Sequence, residues 1–175
     1  KAPLILNAVG QGVAGVESLS RFSFDAGWSA ADVIAPNTTA ISGIDDQGRV
    51  LTVWAEENTV RYRYFAGGQW SAAAPFFEGA NPISNLVFSM NPSGEAIAAW
   101  ITKTATGVST IRAQRFVAGL GWQFVQLVHT QSTPATEPAW MDMHLDEDGN
   151  AMMVWLEVGA DAQDDLFNLR SALFR

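Results

Sequence analysis

Apolar residues in this chain fall in short runs, many alternating with polar ones, and most runs stop at Gly, Asp, Asn or Pro. In ESLSRFSF (17–24), Leu19, Arg21 and Ser23 share one side and Ser20, Phe22 and Phe24 the other. That period of two, bounded by turn residues, predicts half-buried strands. The same reading gives strands at TAISGI (39–44), VLTVWA (50–55), VRYRYF (60–65), SAAAPFF (71–77), LVFSM (86–90), AIAAWI (96–101), VSTIRAQRF (108–116) and WQFVQLV (122–128). Further runs are WMDMHL (140–145), AMMVWL (151–156) and LFNLRSALFR (166–175), and PLILNAV (3–9) is apolar enough to be a buried strand. Gly, Pro and Thr interrupt every candidate helical stripe, so no long helix is expected.

The strands recur as a unit. DDQGRVLTVW (45–54), NPSGEAIAAW (91–100) and DEDGNAMMVW (146–155) each place a turn glycine six residues before a tryptophan. A second series matches ESLSRFSFDAGW (17–28) to STIRAQRFVAGLGW (109–122), with Trp28, Trp70 and Trp122 in register. Gly48 to Gly94 spans 46 residues, Gly94 to Gly149 spans 55, Trp28 to Trp70 spans 42 and Trp70 to Trp122 spans 52. Periods of that size with four short strands each predict an all-β chain of β-propeller blades, every blade four antiparallel strands. Three links per unit are short enough for hairpins, and the fourth is long and Pro-rich, as when an outer strand gives way to the next inner one. This phase puts the start at the second strand of a blade. It divides one propeller-like domain into a partial blade (1–36), two full blades (37–80 and 81–134) and another partial blade (135–175). Two complete and two partial blades suit a fragment of a ring of about six to eight, since closed propellers use four or more blades. Excision from a longer protein is the favoured account of the open ends, and a homodimer that buries them is the competing one.

The motif resembles secreted bacterial propeller repeats of the form D-x-x-G-x-A-x-x-x-W…R-x-x-x-G-x-G-W, and is similar in phase to NHL-type blades, where a strand ending in Asp-x-x-Gly opens each unit. The resemblance covers nearly the whole chain and implies a fold, together with a secreted, cell-surface or periplasmic location. The sialidase Asp-box fits less well, because its aromatic follows glycine by three residues, whereas here the gap is six. Sialidases also need three converging arginines. Arg61 and Arg63 share one strand with Tyr62 and Tyr64, whose side chains alternate between its faces.

Composition narrows the function. A formal charge of −8, from 18 acidic and 10 basic residues, leaves no basic face for nucleic acid. Without cysteine there is no disulfide framework or thiolate metal site. No segment reaches the roughly 18 uninterrupted apolar residues of a membrane helix. From Phe116 to Leu169 there is no Lys or Arg, but many carboxylates, an acidic stretch that would sit on a solvated face.

Candidate chemistry is sparse. Trp54, Trp100 and Trp155, repeated in every unit, are expected to wedge between blades, and Trp28, Trp70 and Trp122 to pack likewise. Trp140 stands outside both series and is the aromatic assigned to ligand contact. Rigid scaffolds present ligands to their longer loops. The face carrying the long loops is therefore the expected binding face, with Glu56, Glu57, Lys103, His129, Glu137, Asp161, Asp164 and Asp165 on it. No two of them form a recognisable catalytic pair. Asp146-x-Asp148-Gly149 resembles the opening of a calcium loop but lacks a downstream bidentate carboxylate, and Asp or Asn before Gly also suits a plain turn. Calcium is the one cofactor the sequence admits, at Asp146 and Asp148. The expected function is a non-catalytic binding or assembly module with a protein or glycan ligand. The alternative is a carbohydrate-active propeller of sialidase, glycosidase or lyase type.

Overall fold

The computed structural model describes residues 3–131, 136–159 and 167–175. Among these every regular element is a strand, and no helix is long and apolar enough to cross a membrane. Four antiparallel sheets follow one another along the chain. The first has Leu4–Leu6 (β1) innermost, then Gly12–Gly15 (β2) and Ser18–Ser23 (β3), with Gly27–Trp28 (β4) and Asp32–Val33 (β5) sharing the outer edge of β3. The second repeats this order: Ile41–Ile44 (β6), Val50–Glu56 (β7), Thr59–Ala66 (β8), then Gln69–Trp70 (β9) and Ala74–Glu78 (β10). The third runs Ile83–Met90 (β11), Ala96–Lys103 (β12), Ser109–Val117 (β13), Gly121–Trp122 (β14) and Gln126–Thr130 (β15). The last comprises Thr136–Leu145 (β16), Ala151–Gly159 (β17) and Phe167–Phe174 (β18).

These are propeller blades in the phase the repeat predicts, with three local differences. The first blade gains the short inner strand β1, so the chain enters it one strand earlier than expected. Leu4 and Leu6 are exposed on this strand rather than buried, since among the described residues no sheet packs against that side. The outer strand of each of the first three blades is also split. After two residues paired beside the Trp, the Ser29 or Ser71 hydroxyl accepts the N–H of Arg21 or Tyr64, and ladder pairing resumes only three residues later. Finally, β16 begins at Thr136, earlier than expected, with a register shift between Pro138 and Trp140.

Alternation along the second strand builds the core between blades. Val50 and Trp54 face the first blade and pack with Val13, Leu19 and Ile34. Leu51 faces the other way, with Ala96 and Phe116 of the third blade. Ile97, Ala99 and Ile101 then meet Met153 and Trp155 of the fourth. One phenylalanine marks the same place in every sheet: Phe22, Phe65, Phe116 and Phe174 oppose Gly12, Val50, Ala96 and Ala151.

The repeated turn joins the blades. In each copy an Asx oxygen (Asn7, Asp45, Asn91, Asp146) accepts the backbone N–H four residues on. The side chain there leans onto the next blade: Gln11 lies over Gly48, Arg49 over Gly94 and Glu95 over Gly149. Glycine is favoured at these positions because φ is +74°, +92° and +84°, and its lack of a Cβ leaves room for the visiting side chain to lie close. Asn7 and Asn91 donate their amides onward to the carbonyls of Asp45 and Asp146.

Candidate functional site

The inner strands of all four blades border an axial cavity of about 310 Å3, on the side of the Asp…Gly turns, where His144 and Asp46 reach its wall. Asp46 is partly spent, accepting the N–H of Ala8. The other end of the blades carries the hairpins at 57–58 and 104–107 and the inter-blade connections. There the connection from β10 to β11 tucks back onto the first of these hairpins: Gly79 N–H donates to Asn58 O, and Ile83 N–H, at the start of β11, to Glu57 O.

On this long-loop face, between the first two blades, lies a concave cavity of about 630 Å3 lined by Ile34, Asn37, Thr38, Trp54, Glu56, Glu57 and Arg61 among others. Strand β7 ends at Glu56, which forms an ion pair with Arg61 across the hairpin. Glu57 is the first central residue of the two-residue loop that joins Glu56 to Thr59, and it has φ +54°. Short hairpins require a positive φ at that position, and glycine normally supplies it. Asn37, in the connection from the first blade, also has a positive φ of +61°. Non-glycine residues held in this conformation cost free energy and gather at binding sites.

A second polar cluster closes the seam between the third and fourth blades. The Glu157 side chain, 7% exposed, accepts His129 Nε2 at 2.8 Å and Arg170 Nε at 3.2 Å, and Trp155 Nε1 at 3.4 Å. The equivalent seams are apolar at the His129 position. Ile34 packs with Trp54 there, and Phe77 lies tilted against Trp100 at 4.7 Å between centroids.

The expected site residues divide accordingly. Glu56 and Glu57 come together on the long-loop cavity. His129 lies within β15 and is engaged by Glu157, while Lys103 is exposed at the end of β12. Trp140 does not face the loops; on β16 it opposes Leu156, which opposes Leu169, so it belongs to the outer apolar face of the last sheet. Glu137 lies within β16, outside the described side chains, and Asp161, Asp164 and Asp165 lie outside the described residues. Asn37, Thr38 and Arg61 were missed by sequence reasoning; the Asn after Pro36 was the available signal, an Asn next to a breaker in an inter-blade link. Trp54, Trp100 and Trp155 are buried between blades as expected, whereas Trp28 is 52% exposed, with no other sheet against it among the described residues.

Asp146 and Asp148 sit on the opposite, turn-bearing face. Asp146 accepts both the backbone and the side-chain N–H groups of Asn150. The Asn150 side chain is the main cause holding its carboxyl below the usual range. The stabilisation that goes with this depressed value is present at neutral pH and fades as the pH falls through the folded-state titration. Among the described residues no three His, Asp or Glu side chains gather as a metal cluster.

No protein-family model matches the chain, and no curated protein sequence matches it. Solved structures do resemble it in fold. An α-L-arabinanase from Penicillium chrysogenum, complexed with arabinobiose, superposes with TM-score 0.62 at 15% identity over 98% of this chain and 61% of its own. A PL25 ulvan lyase bound to -[GlcA(1-4)Rha3S]- gives 0.56 at 10% identity, covering 99% and 49%. The Hadza microbial sialidase Hz136 gives 0.53 at 8% identity, covering 95% and 43%. The chain therefore spans less than two thirds of each of these proteins. Sheet order and these likenesses together define an all-β protein with β-propeller blades.

Proposed function

We propose that this chain is the glycan-recognising part of a carbohydrate-active β-propeller protein of the extracellular space, and that the long-loop cavity between the first two blades takes a neutral oligosaccharide. The carrying observation is the cavity itself: concave, of ligand size, with Glu56, Glu57 and Asn37 on its wall and the edge of Trp54 behind them. Carboxylates and amides are the acceptors and donors that sugar hydroxyls pair with, and hydrogen bonds to ionised groups are the stronger kind. Two carboxylates against one guanidinium, itself tied to Glu56, disfavour uronic, sialic or sulfated sugars through like-charge repulsion. A non-catalytic assembly role is the competing reading, and it predicts no sugar binding at all.

Isothermal titration with arabino-oligosaccharides and with sialyllactose tests this. Saturable binding of the neutral sugar, with the anionic one about tenfold weaker or undetectable, is expected from the charge balance. Equal affinity for both, or none for either, would overturn it. Reducing ends released during the titration would mark a hydrolase at the same site. Glu57→Gly separates strain from recognition: relief of the positive φ should raise stability by about 1 kcal/mol while sugar affinity falls. A variant with lower stability and unchanged affinity would remove Glu57 from the site.

A further inference from the structure

The seam between the first two blades holds a second cavity, of about 470 Å3, on the side of the Asp…Gly turns. Arg21 and Ser23 of β3, Gln11, the Gln47-Gly48 turn and Phe65 are among its walls. Arg21 and Ser23 share the side of β3 on which Leu19 packs against the second blade, so both blades bound this space.

The Arg21 guanidinium lies over the Phe65 ring, 3.6 Å from its centroid, which fixes its plane and leaves its edge for other groups. Its Nε is buried without an acceptor, and no carboxylate of the described residues pairs with the side chain. Native structures rarely leave a buried donor unused in this way. Anions are not scarce in the chain, which has 18 acidic residues against 10 basic ones.

The other seams show what such an arginine pairs with. Arg115 stands in the third blade where Arg21 stands in the first, each one residue before the marker phenylalanine. Gln11 and Glu95 are equivalent as well, each four residues after the Asx of its turn. Between the third and fourth blades, Glu95 pairs with Arg115 at 3.8 Å, and Arg115 also donates to the Gly149 carbonyl. Between the second and third, Tyr64 replaces the cation altogether and packs on Phe116 at 5.5 Å. Of these three seams, the first alone keeps the arginine and exchanges the carboxylate for a neutral amide. The Gln11 amide oxygen accepts Asn7 Nδ2, and its NH2 group meets no acceptor among the described residues.

We propose that the cavity at the first seam binds a small carboxylate of sugar-acid type, with the carboxylate on the Arg21 guanidinium and hydroxyls on the Gln11 and Gln47 amides. A planar guanidinium matches a carboxylate edge to edge through paired N–H donors. The volume suits a ligand of about monosaccharide size. A singly charged anion fits better than phosphate, because one cation faces it and the exposed Asp46 beside Gln47 repels further negative charge. The site is separate from the long-loop cavity, where Glu56 and Glu57 favour a neutral sugar, and is independent of that ligand.

Nuclear magnetic resonance titration of the isotope-labelled chain with D-glucuronate, D-glucose and inorganic phosphate tests this. Glucuronate should shift the Arg21 Nε–H signal saturably, with a Kd on the order of millimolar that rises with added salt. Glucose and phosphate should bind there at least about tenfold more weakly, lacking the carboxylate or carrying excess charge. Arg21→Gln should abolish the glucuronate shifts at the Gln11 and Gln47 amides. Gln11→Glu rebuilds the Glu95–Arg115 arrangement within the first seam, so it should block glucuronate while the rest of the spectrum stays that of the folded chain. Glu57→Gly, in the long-loop cavity, should leave glucuronate binding unchanged, so the two sites can fail separately. No saturable shift, equal binding of glucose or phosphate, binding retained by Arg21→Gln or Gln11→Glu, or binding lost in Glu57→Gly would overturn the proposal.

Discussion

Trp100→Ala is expected to lower stability by about 3–5 kcal/mol, the range for emptying the site of a buried aromatic. For a chain of this length that corresponds to a fall of roughly 10–15 °C in melting temperature. Trp100 is fully buried, with Phe76 and Phe77 of the preceding blade against its ring at 5.9 and 4.7 Å. Neither partner is free to follow it inward: Phe77 is paired with Val60 of β8, and Phe76, at the register shift of β10, is stacked on Trp122. The indole N–H has no acceptor, so the loss is one of volume and contact rather than of a hydrogen bond. Trp100→Phe should therefore retain more than half of the stability that the alanine variant loses. Thermal unfolding followed by circular dichroism decides it. A shift of only two or three degrees for Trp100→Ala would mean that the seam between blades repacks, contrary to the wedge role of the repeated tryptophan.

The second large effect is expected at Asp45. Its fully buried carboxylate accepts the N–H groups of Gln47 and Arg49 through Oδ1 and forms a short ion pair with the Arg49 guanidinium through Oδ2. Arg49 also reaches the Ser93 carbonyl of the next blade. Asp45→Ala removes the turn cap and strands the cation together, an expected loss of about 3–5 kcal/mol. Asp45→Asn keeps an oxygen for the turn, as Asn7 and Asn91 do at the same place, and removes only the charge, so about half that loss is expected. Urea denaturation of the two variants separates cap from ion pair. Equal losses would assign the whole effect to the charge, and none to the cap.

Much of this architecture was legible because it is local and repeated. A glycine six residues before a tryptophan requires a turn and then a strand of fixed length, and three copies in register require that the strand have the same neighbours each time. Burial of Trp54, Trp100 and Trp155 follows from periodicity alone. The candidate site was legible only in part. Glu56 and Glu57 could be assigned to the long-loop face because chain direction sorts the hairpins. Asn37 could not be brought to them, since its place depends on how one blade is laid against the next.

The departures have the same origin. Trp140 looked like a ligand contact because it lies outside both repeats, yet period two puts it beside Leu156 and Leu169 on an uncovered sheet face. Trp28 has the repeat's identity but not its burial, because burial of that position is conferred by the preceding blade. His129 replaces an apolar residue against Trp155, and only the seam shows that a buried Glu157 compensates it. The sequence by itself determined the strands, their turns and the side of each sheet that a residue faces, because these follow from backbone geometry and nearest neighbours. The tertiary structure decided which faces are covered and that Glu57 and Asn37 share a cavity. Each of these depends on contacts between residues of different blades.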